Sequence, residues 1–302
     1  MLVGLQKQWH ILRIMADAEK LPHALLLSGP DKIGKKTLAL ELVKFIFCQE
    51  ENKLDGFACG KCRACLDVEK KTHPDLAMIL PEEGSIKIAQ IRDLEWRLSL
   101  KPYSAKIKVG IIDDAHLILP DAQNSLLKTL EEPKGKTLLI LVSSNPQMLL
   151  KTVFSRVQTM KFFLASDKEI RESLIDLGAG KEKAEKIAKF SLGRPGQAID
   201  FLRVPEKFSA REEILAEIEK IIKAKIPERF SYVKKITDAP ESTNEILALW
   251  ERQLRDMLIA DPKAPSSFVQ SIKNLEETVH LIKTTNVNQR LALENLMLNL
   301  NI

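Results

Sequence analysis

The sequence contains no long uninterrupted run of apolar residues. Hydrophobic residues make up 45% of its 302 residues, but no stretch reaches the roughly 18 apolar residues that a membrane-spanning helix needs. Residues 1–8 lead into a charged and polar helical pattern, not into the apolar core and cleavage site of a signal peptide. We therefore expect a cytoplasmic protein that has no membrane partner.

A large excess of charge of one sign is also missing. The 46 Lys and Arg residues are nearly balanced by 41 Asp and Glu residues, which leaves a net charge of +5. A protein whose main task is to coat nucleic acid usually carries a much stronger basic surface. The balance argues against that class, although a local basic face remains compatible with it.

Residues 1–165 alternate short aliphatic runs with amphipathic helical patterns. The runs are nearly continuous, which is typical of strands buried on both faces. An alternating order of strands and helices predicts an α/β domain with a parallel sheet. The predicted strands are 23–28, 76–80, 108–113, 137–143 and 159–163, and the predicted helices between them are 35–47, 88–98 and 120–130.

After residue 165 the strand pattern ends and helical periodicity takes over. Two short helices, 167–177 and 181–190, and a turn at 193–196 predict a small helical domain over 166–204. Longer amphipathic patterns predict an all-α bundle over 205–302. The basic stretch 181–189 is interpreted as a solvated helix face, with a DNA-facing role as the alternative. The predicted bundle helices are 206–225, 228–237, 243–260, 266–283 and 288–300.

The segment GPDKIGKKT, residues 29–37, follows a predicted strand and opens a predicted helix. Gly29 and Gly34 permit a tight loop with inward-pointing amides, and Lys35 is placed to reach terminal phosphates at a helix N-terminus. The eighth position normally carries a hydroxyl that ligates Mg²⁺, but here it is Lys36. Thr37 comes one residue later, about 100° further around the helix, and is expected to point away. The loop is compatible with binding of ATP and Mg²⁺ and equally with no such binding. Efficient hydrolysis of ATP is not expected.

Two adjacent carboxylates, Asp113 and Asp114, end the predicted strand 108–113. An acidic residue at this end of a buried strand is where a Walker-B carboxylate holds Mg²⁺. Asp114 stands where a glutamate usually activates water, and it is shorter by one methylene. The alternative is a pair of carboxylates that merely cap the following turn.

All four cysteines of the chain fall within one short segment: Cys48, Cys59, Cys62 and Cys65. In a cytoplasmic protein such cysteines are better explained as metal ligands than as disulfides. Four thiolates at this spacing suit tetrahedral Zn²⁺, and a closed shell leaves no position for a catalytic water. We predict a structural zinc site, with free thiols as the alternative. The tripeptide 73–75, HPD, is interpreted as a turn into the next strand, and His73 is not needed as a ligand.

Taken together, these motifs resemble the AAA+ subunits of the bacterial DNA polymerase III clamp loader, and among them the delta-prime family. The resemblance is dense over about residues 1–200 and weaker to the end. It rests on the phosphate loop, the cysteine spacing, the HPD tripeptide, the strand KVGIIDDAH, the string QNSLLKTLEEP at 123–133 and the tripeptide SRV at 155–157. The implied organisation is an AAA+ P-loop domain with a zinc module (1–165), a helical lid (166–204) and a helical collar for oligomerisation (205–302).

The resemblance also implies roles for single residues. Arg156, in place of the arginine of the family's Ser-Arg-Cys motif, would be an arginine finger that acts on the nucleotide of a neighbouring subunit. Ser143 or Ser144 would be sensor 1. Gly196 stands where an ATPase paralogue carries its sensor-2 arginine, and Arg194, two residues away, is not expected to substitute.

The implied function is that of a clamp-loader subunit. It would help load the sliding clamp onto primer-template DNA, in a ring of five with gamma/tau and delta subunits. Lys36, Asp114 and Gly196 all depart from what a motor subunit needs. Two alternatives remain: a gamma/tau-type ATPase motor, and a scaffold without any part in nucleotide chemistry.

Overall fold

The computed structural model describes residues 2–50, 56–133, 135–238, 240–260, 266–285 and 287–300. The chain divides into two compact units, one formed by residues 1–177 and 193–197, the other by 178–192 and 198–302. No helix among the described residues is both long and apolar enough to cross a membrane. The division into three domains stays a prediction.

The first unit is built on a five-stranded parallel sheet with the order β2-β3-β4-β1-β5. The three central strands are buried along almost their whole length, which explains their continuous aliphatic sequences. The strands are β1 (Ala24–Ser28), β2 (Leu76–Ile79), β3 (Lys108–Ile112), β4 (Thr137–Ser143) and β5 (Gln158–Lys161).

Helices cover both faces of this sheet, and each face has its own apolar cluster. One cluster includes Trp9, Leu38 and Leu42, and the other includes Ile91, Leu94 and Leu126. The helices of this unit are α1 (Gln6–Asp17), α2 (Lys35–Phe47), α3 (Arg63–Glu69), α4 (Ile88–Ser99), α5 (Pro120–Glu131), α6 (Lys151–Phe154) and α7 (Asp167–Asp176). The predicted α/β fold class with a parallel sheet is confirmed.

A buried carboxylate holds the loop between α4 and β3. Asp75 accepts backbone N–H bonds from Tyr103 at 2.7 Å and from Ser104 and Ala105 at 2.8 Å each, and it pairs with Lys108 at 3.4 Å. Burial alone would raise the pKa of Asp75, yet these donors bring its pKa below the ordinary value. The HPD tripeptide, which ends with Asp75, forms the predicted turn, since the Leu76 N–H donates to the carbonyl of His73 at 3.0 Å.

All the described secondary-structure elements of the second unit are helices. Its core contains Ile218, Ile222, Leu247, Trp250 and Leu254, while Ile214, Ile221 and Leu258 are partly buried against that core. Its helices are α8 (Lys181–Phe190), α10 (Pro205–Ile222), α11 (Ile226–Thr237), α12 (Pro240–Ala260), α13 (Ser266–Thr284) and α14 (Gln289–Leu298). An all-helical bundle was predicted here and is confirmed.

Three helices lie where the sequence pattern did not predict them, and one of these is the short α6 (Lys151–Phe154). Helix α3 begins between the cysteines, and α9 (Pro195–Arg203) begins inside the predicted turn at 193–196. The turn prediction is therefore wrong from Pro195 onward. Proline at the first position of a helix loses no hydrogen bond and has a suitable φ angle, so the sequence carried a signal for this helix.

Candidate phosphate-loop and metal sites

The phosphate loop joins the end of β1 to the start of α2, as predicted. Gly34 has a φ of 96° and precedes the first residue of α2. The Gly29 N–H donates to the Ser143 carbonyl on β4 at 3.2 Å, and a Cβ on Gly29 would lie 2.5 Å from the Phe162 carbonyl oxygen. Only glycine fits at this first position, so the backbone of a phosphate loop is present.

Lys35 is turned back onto its own loop. Its ammonium donates to the carbonyl of Gly29 at 2.7 Å and to that of Pro30 at 2.6 Å, and the residue is only 5% exposed. Burial lowers the pKa of Lys35, an effect that Asp31, Asp114 and Asp113 partly offset. The cation that would reach a phosphate is thus already bonded within the loop.

Lys36 forms an ion pair with Asp113, the predicted Walker-B carboxylate. The Nζ–Oδ2 distance is 2.6 Å, and Asp113 is 8% exposed. Thr37 is exposed on the first turn of α2, consistent with the prediction that its hydroxyl points away. These residues do not fit a Mg²⁺ ion, because the hydroxyl ligand is replaced by an ammonium group and the carboxylate is already paired.

Asp114 and the two predicted sensor-1 serines occupy the same edge of the sheet. Asp114 has a φ of 48°, and burial together with neighbouring Asp113 raises its pKa. Ser143 is fully buried and its Oγ accepts the Asn145 N–H at 3.2 Å, while the Oγ of Ser144 lies 3.4 Å from His116 Nε2. Both hydroxyls therefore have protein partners.

Gly196 packs directly on the phosphate loop. Its N–H donates to the Lys32 carbonyl at 2.7 Å, and a Cβ built on Gly196 would lie 2.7 Å from that same oxygen. No side chain fits here without displacing backbone. Arg194 adds positive charge that contributes to lowering the pKa of Lys35, and its Nε is buried without a hydrogen-bond partner among the described residues. The sequence had given no reason to place Arg194 at the loop.

The four cysteines converge at the junction of α2 and α3. Their sulfur atoms all lie within 4.8 Å of one another, and they form no disulfide. Tetrahedral Zn²⁺ with bonds of about 2.3 Å separates its sulfur ligands by about 3.8 Å, and Cys59 Sγ and Cys65 Sγ are 3.9 Å apart. The four thiols therefore fit one metal ion. Phe57, next to this group, stacks on Trp9 of α1 with ring centroids 5.0 Å apart.

The local backbone already favours thiolate at one ligand. Backbone N–H groups of Cys62 and Lys61 lower the pKa of Cys59 to about 7, whereas burial raises the pKa of Cys65 in the absence of a metal. His73 stands apart from the group, because its ring packs on Phe47 at 4.4 Å and its Nδ1 accepts the Asp75 N–H. The donor set consists of sulfur alone.

Arg156 lies just after α6 and reaches the end of α5. Its Nη2 pairs with Glu131 Oε1 at 2.6 Å, with 36% of the Arg156 side chain and 50% of the Glu131 side chain exposed. Its Nη1 also donates to the Thr152 carbonyl at 2.9 Å. The guanidinium is neither buried in the core nor fully solvated. The pairing with Glu131, within the string 123–133, was not predicted.

The parallel sheet, the loop entering α2 and the acidic strand end define a P-loop α/β domain with a four-cysteine group. The family model described as "DNA polymerase III, delta subunit" matches residues 4–165. The chain belongs to this DNA polymerase III delta-subunit family.

Curated relatives carry the same type of name. The chain is 35% identical to the DNA polymerase III subunit delta' of Bacillus subtilis, over 66% of this chain and 59% of the relative. It is 34% identical to the subunit delta' of Pseudomonas aeruginosa, over 68% of this chain and 62% of the relative. The matches thus span less than two thirds of the length of these relatives.

Among solved structures, a gamma-subunit-related protein of Thermotoga maritima is similar over 96% of this chain and 97% of its own, at 18% identity and a TM-score of 0.45. A structural similarity at this TM-score and identity says nothing about function.

Proposed function

We propose that this chain is a delta-prime-type clamp-loader subunit, which helps place a sliding clamp on primed DNA without acting as a motor. Membership of the delta-subunit family supports the role in clamp loading. The ion pair between Lys36 and Asp113 supports the absence of motor activity. With Lys35 bonded to its own loop and Asp113 paired to Lys36, the groups that would bind phosphate and Mg²⁺ already have partners within the chain.

The chemical contribution of this subunit would be Arg156, acting in trans. Its guanidinium is partly exposed and held by one exposed carboxylate, a type of ion pair that is weak in water. A phosphate of a neighbouring subunit's ATP could replace Glu131, because guanidinium binds phosphate oxygens as well as carboxylate oxygens. Such a group stabilises the charge that develops during phosphoryl transfer.

The cysteine group would hold a structural Zn²⁺ ion through Cys48, Cys59, Cys62 and Cys65. Four sulfur ligands fill a tetrahedral shell, so no water could be activated there. The ion would fix the start of α3 against the end of α2. Its role would be to stabilise the first unit, not to react.

The partners of this chain would be the gamma/tau and delta subunits of a five-membered ring, and through the ring the clamp and primer-template DNA. The AAA+ domain, lid and collar boundaries at 165 and 204 belong to this proposal. The rival proposal is a gamma/tau-type motor, which is favoured by the retained Lys35 and Asp113. ATP turnover by the purified chain that Lys35→Ala abolishes would support the motor.

Reconstitution with gamma/tau, delta, clamp and primed DNA tests the proposal. We expect Arg156→Ala to lower clamp-stimulated ATP turnover of the ring by about tenfold or more, as loss of a trans arginine does in other ATPases and GTPases. Arg97→Ala is the matched control, since Arg97 is another exposed arginine, in α4, whose side chain pairs with a carboxylate.

Equal turnover in the Arg156→Ala and wild-type rings would favour the scaffold alternative. Assembly of the ring, checked by size-exclusion chromatography, separates a lost finger from a lost subunit.

A further inference from the structure

We infer that Lys36 is a built-in cation that replaces the divalent metal, so that this phosphate loop excludes Mg²⁺ and can bind a polyphosphate only as the metal-free anion. The inference concerns the isolated chain and does not depend on a role in clamp loading, although it rests on the same Lys36–Asp113 ion pair as the proposed lack of motor activity.

The ammonium of Lys36 lies at the carboxylate that a metal would need. Lys36 is the second residue of α2, and Asp113 directly follows β3, where its N–H donates to the Ile79 carbonyl at 3.0 Å. Their Nζ–Oδ2 distance of 2.6 Å is that of a charge-assisted hydrogen bond. A cation placed at this carboxylate would meet the positive charge of Lys36.

The pair is also shielded from solvent on the carboxylate side. The Asp113 side chain is 12% exposed, against 38% for that of Lys36. Screening by water is therefore weaker here than between fully exposed charges. Mg²⁺ is dehydrated reluctantly and needs near-octahedral oxygen ligands, and the loop offers an ammonium where the hydroxyl ligand should be.

Other cations already lie near the position that a metal would take. Burial lowers the pKa of Lys35 most, the charges of Asp31, Asp114 and Asp113 raise it, and the charge of Arg194 lowers it further. Lys36, paired with Asp113, is one more cation at this edge of the sheet. A divalent ion would add two positive charges beside Lys35, Lys36 and Arg194.

A substitution that restores the usual hydroxyl tests the inference. ATP binding to the wild type and to Lys36→Thr is measured by calorimetry, once with Mg²⁺ and once with EDTA. Mn²⁺ binding in the presence of ATP is followed by electron paramagnetic resonance. For the wild type we expect the same ATP affinity, or the same lack of affinity, in both buffers and no ATP-dependent Mn²⁺ site. For Lys36→Thr we expect Mg²⁺ to tighten ATP binding by about tenfold or more.

Two controls keep the result interpretable. Lys44→Thr removes another ion-paired lysine of α2, which contacts Glu41 at 3.1 Å, and it should create no metal dependence. The double variant Lys36→Thr/Asp113→Asn should lose the metal dependence again. Thermal melts confirm that each variant is folded.

Two results would overturn the inference. One is wild-type binding of ATP that requires Mg²⁺ and is lost in Asp113→Asn. The other is a folded Lys36→Thr variant that acquires no metal-dependent binding, because Lys36 would then not be the group that keeps the metal out.

Discussion

The cysteine group and the phosphate loop belong to the same compact unit, but they differ in how ready they are for a cation. At the cysteine group, four sulfur atoms lie within 4.8 Å of one another, and no ammonium or guanidinium group pairs with them in the described residues. At the loop, the carboxylate that would hold a metal is 2.6 Å from a lysine. The first site gains from an added cation, whereas the second already contains one.

A phosphate loop can therefore keep the backbone of its motif while the groups that would bind a metal are replaced. Gly29 and Gly34 still build the turn, and Lys35 still begins α2. What has changed is the charge at one position, Lys36, and the space at another, Gly196. A protein that uses the loop as a structural joint between β1 and α2 needs the glycines but not the metal.

The largest effect should come from breaking the cysteine group. Cys65→Ser is expected to abolish the binding of one Zn²⁺ and to destabilise the first unit by about 4 kcal/mol or more, since metal loss is among the most costly changes. Mass spectrometry of the native protein and urea unfolding measure the two quantities. His73→Gln is the control, because it removes a buried ring outside the sulfur group. This variant should keep the zinc. Full zinc content in Cys65→Ser would contradict the assignment.

A second ion pair of the same unit, more deeply buried, can be compared with the ion pair at the loop. Asp75 and Lys108 resemble Asp113 and Lys36 in chemistry, but their side chains are 0% and 8% exposed. Removing one partner of a buried pair costs about 3–5 kcal/mol, so Asp75→Ala should lower the free energy of unfolding by about that amount. Asp113→Ala should cost less, because the cation that it leaves unpaired, Lys36, has 38% of its side chain exposed and can be solvated. Equal losses in urea unfolding would contradict the ranking.

The same pair gives a pH dependence with a definite sign. The pKa of Asp75 is lowered in the folded state, so its stabilising contribution is present above the unfolded pKa of about 3.9 and is lost as pH falls further, through the folded pKa. Asp75→Asn should therefore show a flatter loss of stability between about pH 5 and pH 2 than the wild type does.

The sequence predicted the parts of the fold that follow from local pattern. The continuous aliphatic runs predicted five strands to within about two residues, and helices 35–47 and 181–190 have their predicted bounds. Helix α3 was missed because a helix of seven residues that starts between two cysteines carries little periodicity. Helix α9 was missed because Gly-Arg-Pro-Gly is a common turn sequence, although its proline is an N1 signal.

The site was predictable only in part, for a physical reason. Motif spacing places Lys36 and Asp113 at the same edge of the sheet, because the carboxyl ends of parallel strands meet there. Motif spacing cannot show that the Lys36 side chain pairs with the Asp113 carboxylate instead of extending into solvent. The pairing of Arg156 with Glu131 depends on how α5 and α6 pack, and the contact between Gly196 and Lys32 depends on where α9 begins. Both contacts join segments that are far apart in the sequence, so no local pattern predicts them, although Pro195 does mark the start of α9.

Gly196 offers a smaller test of the loop's space. Gly196→Ala would place a Cβ 2.7 Å from the Lys32 carbonyl oxygen, and such overpacking costs about 1–3 kcal/mol. Gly180→Ala is the matched control, since Gly180 has open space around its Cβ position and, like Gly196, lies at the N-terminus of a helix. Urea unfolding should show a loss for Gly196→Ala and little change for Gly180→Ala. Similar values for both would show that the loop yields at no cost.

The smallest effect on stability should come from Glu131, and this makes it a sharp probe of Arg156. Glu131→Gln removes a pair in which both side chains are at least one third exposed, so it should change the free energy of unfolding by about 1 kcal/mol or less. If Glu131 only holds the guanidinium until a phosphate replaces it, the reconstituted ring should keep or raise its ATP turnover. A loss of turnover as large as that of Arg156→Ala would instead mean that the carboxylate must stay in place to aim the guanidinium.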